Sequence, residues 1–268
     1  MRLRRSLKRL LKSILFLICA ASLLVIYMRY IEPRWLEVTH FEMTSGGQEL
    51  RIAAFGDTHI GMGNDAPELE KLVGEINDRR PDVVVFLGDL FDDLSTYRGD
   101  AEQCMEILSG IEAEYKYAVR GNHDVGGGAE WVYPDLIASA GFTLLENDSA
   151  GLRCGINLIG AADSTYFTAD IDRFVTDGFD ILLSHEPDPV AGTPGVELQL
   201  SGHSHGGQVH IPFVMDRILP DGAKKYYRGA YEKPDSGIIY VNRGFGMSLV
   251  PMRLFSRPEL TVIDIKGE

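Results

Sequence analysis

Cysteine is scarce in this chain of 268 residues. Its three cysteines fall in an apolar run (Cys19), on an expected helix (Cys104) and on an expected strand (Cys154). An odd, scattered set excludes a disulfide framework; such cysteines are more often buried and inert, and only a Cys104–Cys154 bridge stays open. Internal repeats and low-complexity tracts are also missing, which excludes repeat architectures and disordered arrays. Acidic residues are absent from residues 1 to 30, which hold seven Lys or Arg. Of 26 Lys and Arg in the whole chain, 19 then remain to face 39 Asp and Glu, a balance of −20. So acidic a globular part repels a nucleic-acid backbone, so general nucleic-acid binding is not expected. Metal cations suit it.

Hydrophobic residues make up 45% of the chain and charged residues 24%, enough to bury one substantial α/β core. Ser13 to Met28 carries no charge, and Leu10, Leu11, Tyr30 and Ile31 extend the run, which suffices for one spanning helix. Six Lys or Arg precede it, whereas Arg29, Glu32 and Arg34 follow. The basic flank stays cytoplasmic, so the run anchors the chain in the cell membrane as a single pass and the folded domain faces outward. Tyr27, Tyr30 and Trp35 suit the far interface. A cleaved signal peptide, with Ala20 and Ser22 at the cleavage site, is the rival, but Leu23 to Tyr27 continues the apolar run past that point. Arg4-Arg5-Ser6-Leu7-Lys8 faintly resembles a twin-arginine export signal, a pairing that basic flanks produce by chance.

Residues 1–30 are therefore read as basic flank and anchor, 31–50 as a connector with a turn at Gly46-Gly47, and 51–268 as the folded domain. Strands are expected at Arg51–Gly56, Asp82–Leu87, Tyr115–Val119 and Phe142–Leu145. Helices are expected from Asp65 to Arg80, where Leu69, Leu72, Val73 and Ile76 recur at helical spacing, and over Ala101–Ile111 and Glu130–Ala140. Past Asn147 the pattern turns strand-rich, at Leu152–Cys154, Ile156–Gly160, Ile181–Ser184, Val196–Leu200, Gly237–Val241 and Leu260–Ile265. The expected fold is α/β: a four-layer α/β/β/α sandwich of two mixed sheets flanked by helices, preceded by one transmembrane helix.

Polar side chains collect where these strands end. Asp57-Thr58-His59 follows the first, Gly88-Asp89 the second, and Gly121-Asn122-His123-Asp124 the third. Later strands run into Ser184-His185-Glu186-Pro187 and Gly202-His203-Ser204-His205-Gly206-Gly207. Ligands of open α/β sheets gather outside the carboxyl ends of strands. One histidine is usually a satisfied core or surface residue, but five of seven at strand ends are not explained that way. Imidazole nitrogens with carboxylate and amide oxygens suit Zn, Mn and Fe(II), and the lack of nearby cysteine argues against a structural zinc site.

In this order the motifs D-x-H, G-D, G-N-H-[DE], H and G-H-x-H resemble the calcineurin-like metallophosphoesterases, across Asp57 to His205. The resemblance implies a phosphoester hydrolase with two divalent metal ions (Mn, Zn or Fe). Asp57, His59 and His205 would hold one, Asn122, His185 and His203 the other, and Asp89 would bridge them. A hydroxide between the metals would attack phosphorus in line, with His123 as general acid. Asp124 would orient His123 or a ligand, or else cap the following turn. With the anchor and the run ending in Gly207-Gln208, the chain is similar to a bacterial transmembrane subgroup. Some members are described as phosphodiesterases or as pyrophosphatases of UDP-2,3-diacylglucosamine in lipid A synthesis. That substrate is cytoplasmic, whereas the charge bias puts this domain outside. A membrane-associated or lipid-linked phosphodiester or pyrophosphate is the expected substrate, a phosphomonoester the alternative. A non-catalytic metal-binding scaffold would be marked by loss of His123 or Asp89, and neither is lost. Asp92 and Asp93 read as a solvated loop, Arg243 as a surface arginine with reach to substrate phosphate as the alternative, Asp163 as a candidate to line the site because it follows a strand, and His40 and His210 as lacking motif context.

Overall fold

In the computed structural model, residues 2–45, 47, 49–211, 218–234 and 237–267 are described. Helix α1 (Arg2–Ile26) runs into a π-helical turn, Tyr27–Ile31, and a 3₁₀ turn, Glu32–Arg34. It is long and apolar enough to cross a membrane, and none of its apolar window is buried against the rest of the chain.

Two six-stranded sheets follow. The first holds β1 (Glu37–Thr44), β12 (Glu259–Lys266), β2 (Leu50–Phe55), β3 (Val83–Phe86), β4 (Tyr115–Ala118) and β5 (Thr143–Leu144), in that spatial order. β2 to β5 are parallel, while β12 runs antiparallel to β2 and parallel to β1. The second holds β10 (Gly229–Glu232), β11 (Ile238–Val241), β9 (Leu198–Ser201), β8 (Phe179–Ser184), β7 (Ile156–Gly160) and β6 (Asp148–Gly151). Its edge strands β10 and β6 are antiparallel and its centre is parallel. The sheets are therefore both mixed, as expected.

Alternation along the strands distributes the core. Ala53, Phe55, Val84 and Phe86 face outward onto α2 (Ala66–Asp78), α3 (Ala101–Ser109) and α5 (Tyr133–Ser139), through Leu69, Leu72, Ile76, Leu108 and Ile137. Ile52, Ala54, Val83 and Val85 face inward onto Leu158, Ile181, Leu183 and Leu200 of the second sheet. Each fully buried Val, Leu, Ile or Phe side chain among them contributes about 1.5 to 3 kcal/mol. Behind the second sheet, Ile159 and Leu182 pack on Ile171, Val190 and Val196, near the one-turn helix Asp172–Phe174. Helix α2 starts at a capping box in which Asp65 and Glu68 exchange bonds with the backbone, and stops before Pro81.

Three expectations need correction. The 31–50 connector contains β1, whose eight residues pair with β12, so the sheet begins well before residue 51. The strand expected at Leu152–Cys154 is a 3₁₀ turn, Arg153–Gly155, and the edge strand lies earlier, at β6. Cys104 is free and buried, which removes the Cys104–Cys154 bridge; Cys19 is free and exposed on α1. Of the Gly46-Gly47 turn, Gly46 lies outside the described residues.

Candidate metal centre

Strands β2, β3, β4, β8 and β9 carry the site on the turns at their carboxyl ends. The short helix α4 (Asn122–Gly126) starts directly after β4 and presents Asn122 and His123. The backbone in these turns is strained: Asp57, His59, Asp89, His203 and His205 have φ of 49°, 40°, 59°, 70° and 52°. Left-handed conformations cost a non-glycine residue roughly 1 to 3 kcal/mol and persist where the surroundings dictate them. Here the Asp57 amide donates to the Gly88 carbonyl at 2.8 Å, and the His203 amide donates to Asp57 Oδ1 at 2.9 Å. Gly121 is required by the closeness of the turns, since a Cβ on it would collide with Asp89 Oδ1 and lie 2.8 Å from His185 Nδ1.

Two ligand clusters result. In the first, His205 Nε2 lies 3.0 Å from His59 Nε2 and 3.4 Å from Asp57 Oδ1. In the second, His185 Nε2 lies 3.2 Å from both His203 Nδ1 and Asn122 Oδ1. Asp89 stands between them, with Oδ2 3.4 Å from His59 Nε2 and 3.1 Å from His185 Nε2. Its other oxygen accepts the His123 amide at 2.8 Å.

Hydrogen bonds on the far side of the rings fix which nitrogens face inward. His185 Nδ1 donates to the Leu87 carbonyl at 2.8 Å, and His203 Nε2 to the Asp221 carbonyl at 2.8 Å. His59 Nδ1 faces the Asp92 carboxylate at 3.1 Å. A carbonyl or carboxylate can only accept, so each of these nitrogens bears the proton and leaves the opposite one to the cluster. In each cluster two imidazole nitrogens therefore point at one another, an arrangement that needs a proton or a cation between them.

The charges agree. Burial disfavours protonation of His59, but hydrogen bonds to Asp89 and Asp92 outweigh it and raise its pKa to about 9. His185, buried likewise, is raised well above the usual range by Asp89. Burial lowers their partners, His205 strongly, with the nearby charge of His59 or His185 adding to the effect. Burial lifts Asp57 to about 6, whereas the same burial at Asp89 is outweighed by His185 and His59, which hold that carboxyl well below the carboxylate range. A divalent cation can take the place of each shared proton, and the nitrogen and oxygen donors suit one. Asp57, His59 and His205, and Asp89, His185 and His203, form two groups close enough to hold an ion, and His59, Asp92 and His123 form a third that shares His59 with the first.

His123 is set apart. Its Nδ1 donates to the Asp92 carbonyl at 2.7 Å, which leaves Nε2 available, and its ring stands edge-on to His59 with centroids 4.6 Å apart. It lines a cavity of about 420 Å³ together with His59, Asp89, Asn122, His203 and His205. Asp124 is buried and accepts the amides of Asp89 at 2.8 Å, Leu90 at 2.9 Å and Gly121 at 2.9 Å. It thus holds the backbone that carries Asp89, and also caps the turn; burial pushes its carboxyl up to about 6.

Two residues read otherwise from sequence belong to this scaffold. Asp92, expected in a solvated loop, touches His59 through its carboxylate and His123 through its carbonyl. Arg243, expected at the surface, is largely buried and paired with Glu259 at 2.8 Å and Glu37 at 3.1 Å. No local sequence signal marks Asp92 beyond its place three residues after Asp89. Asp163 is buried, accepts the amides of Thr165 and Tyr166 and lies beside Glu186, where the charge of His185 still reaches it. His40 is exposed on β1, and His210 stacks on Tyr227.

With this geometry established, similarity decides the family. Residues 50–207 match the family described as calcineurin-like phosphoesterase. The chain belongs to that family. It is 35% identical over 257 residues to the metallophosphoesterase YkuE of Bacillus subtilis, covering 90% of this chain and 89% of that one. It is 27% identical to the phosphodiesterase YaeI of Escherichia coli, covering 89% and 92%. A transmembrane protein with metallophosphoesterase domain from Danio rerio is 29% identical, covering 81% of this chain and 53% of the relative. This calcineurin-like phosphoesterase is a metal-dependent hydrolase, and its apolar α1 together with the transmembrane relative points to membrane association.

Proposed function

We infer that the centre hydrolyses phosphodiester or pyrophosphate bonds with two divalent metal ions (Mn, Zn or Fe), on a membrane-associated substrate. The observation that carries this reading is Asp89 Oδ2, placed within 3.4 Å of one cluster and 3.1 Å of the other. One carboxylate oxygen facing two ligand sets suits a pair of divalent cations. Asp57, His59 and His205 would hold one, and Asn122, His185 and His203 the other. Bound there, the cations would supply the charge that activates the attacking water and offsets charge on the phosphoryl oxygens.

The chain's own residues do the rest. His123 Nε2, as part of an imidazolium, delivers a proton to the leaving oxygen. The attacking water gives up a proton to solvent as its oxygen bonds to phosphorus, the bond from phosphorus to the leaving oxygen breaks, and the departing alkoxide or phosphate takes the proton from His123. Asp92 holds the rings of His59 and His123, and Asp124 holds the backbone of Asp89. The relative named as a phosphodiesterase supports the diester over the monoester. The test is a panel of soluble mono-, di- and pyrophosphate esters assayed with Mn, Zn, Fe and Mg. Turnover of diesters or pyrophosphates that vanishes with chelation and returns with metal is expected; monoester turnover alone would overturn the diester reading.

A further inference from the structure

Part of the metal cavity is apolar. Besides the histidines it is lined by Val209, Ile218, Leu219, Leu249 and Val250. Leu249 is 90% exposed and has φ of 61°, so it is at once a bare leucine and a left-handed one. Phe255, six residues on, repeats the combination, 67% exposed with φ of 55°. Strain of this kind persists where the surroundings dictate it, and here it leaves two large apolar side chains in the open.

The segment is held from two sides. Gln208, next to the ligand turn, donates from Nε2 to the carbonyls of Ser248 and Val250, both at 2.8 Å, and accepts the Ser248 amide at 2.8 Å. These three bonds pin Leu249 at the cavity mouth. On the other side the Arg253 amide donates to the Met28 carbonyl at 2.9 Å, and the Ser256 amide to buried Glu32 Oε1 at 2.7 Å. Met28 and Glu32 bracket the end of the apolar helix. Leu249 is four residues from Arg253, which keeps it within about 14 Å of the residue that bonds Met28 at the end of the apolar helix. Tyr30, 57% exposed, and Trp35, 50% exposed under the Arg257 guanidinium, mark the interfacial level there. Arg228 donates to the Phe255 carbonyl and brings positive charge to the same edge.

From this continuity, resting on the phosphoester hydrolase reading above, we propose that Leu249, Val250 and Phe255 form a lip that dips into the leaflet beside the anchor. The metal centre then takes a phosphodiester or pyrophosphate carried by a membrane lipid, with the hydrocarbon against the lip and the phosphate at the histidines. The bilayer both covers the exposed apolar side chains and delivers the substrate.

The test uses the full chain in nanodiscs of phosphatidylcholine and phosphatidylglycerol, with nitroxide-labelled phosphatidylcholine as quencher. Leu249→Trp is placed in a chain whose Trp35 and Trp131 are replaced by Phe, and a chain keeping Trp35 alone is the interfacial standard. Nitroxide lipid should quench the indole at position 249 at least as strongly as Trp35, and aqueous iodide should quench it weakly. Strong iodide quenching with none from nitroxide lipid overturns the lip, and leaves its apolar face to a protein partner. In parallel, turnover of phosphatidylglycerol and diacylglycerol pyrophosphate in the discs is compared with that of soluble bis(p-nitrophenyl) phosphate. Replacing Leu249 and Val250 by Asp should lower the ratio of lipid to soluble turnover at least about tenfold. An unchanged ratio, or parent turnover of the soluble ester alone, overturns the lipid substrate while sparing the hydrolase reading. Failure of the parent chain on every ester overturns both.

Discussion

Nε2 of His59 and Nε2 of His205 stand 3.0 Å apart, although one residue follows β2 and the other β9. Each belongs to a different sheet, so the contact ties the two layers together at the place where a cation fits. The same is true of His185 and His203 with Asn122, and Asp89 lies in the seam. A site of this kind is a property of the packed sandwich, because no single sheet owns a complete ligand set.

Replacing Asp89 by Asn removes a negative charge that faces both clusters. Bound metal should fall below two per chain and turnover should collapse together with it. Metal analysis on the purified variant, run beside a diester assay, decides this: two metals per chain with normal turnover would show that Asp89 is not the bridge.

Asp92→Ala tests the support behind a ligand. The carboxylate fixes His59 by a 3.1 Å bond to Nδ1, whereas the Asp92 carbonyl that holds His123 survives the substitution. Metal affinity should drop by roughly 10- to 100-fold, with turnover recovering at high metal. A metal titration of activity that matches the parent would make Asp92 a bystander.

How far the site could be read from sequence follows from the same geometry. Asp57, His59, Asp89, Asn122, His185, His203 and His205 each lie shortly after a strand, so local pattern is enough to single them out as candidates. Asp92 could not be found so, because its role depends on a loop folding back 33 residues onto His59. Edge strands failed for a related reason. Half-buried β1 is a strand through its pairing with β12, Glu37 opposite Glu259, and β6 (DSAG) has little intrinsic β-propensity. Arg243 reads as a surface residue until Glu37 and Glu259, paired across β1 and β12, close around it.

His123→Ala should retain metal while kcat falls by roughly 10² to 10⁴. The loss should be larger for esters with poor leaving groups than for p-nitrophenyl esters, which need little protonation. Equal losses across leaving groups would assign His123 to charge stabilisation instead of proton transfer.

Arg253 is fully buried and donates to the carbonyls of Gly246, Ser256, Arg243 and Gly244 at 2.9 to 3.0 Å. The Gly246 amide in turn donates to the Asp57 carbonyl at 2.6 Å, so the arginine braces the turn beneath a ligand. Arg253→Met leaves those carbonyls without donors and should destabilise the fold by roughly 3 to 5 kcal/mol, while Arg253→Lys should restore part of that. Urea unfolding of the three chains is the measurement; a methionine variant within about 1 kcal/mol of the parent would mean that water replaces the guanidinium.

The last prediction concerns place. Ser13 to Met28 carries no charge, six Lys or Arg precede it, and the helix built on it buries none of its apolar window. The full chain should therefore sediment with membranes and resist carbonate extraction. A version starting near Ile31 should be soluble yet keep its metals, since every ligand lies at or beyond Asp57. The excess of positive charge before the helix predicts that the hydrolase domain faces outward. Protease added to intact spheroplasts should then digest the domain without lysis. Protection until lysis would reverse the orientation, and would put the metal centre on the inner leaflet, where an acylated sugar nucleotide could reach it.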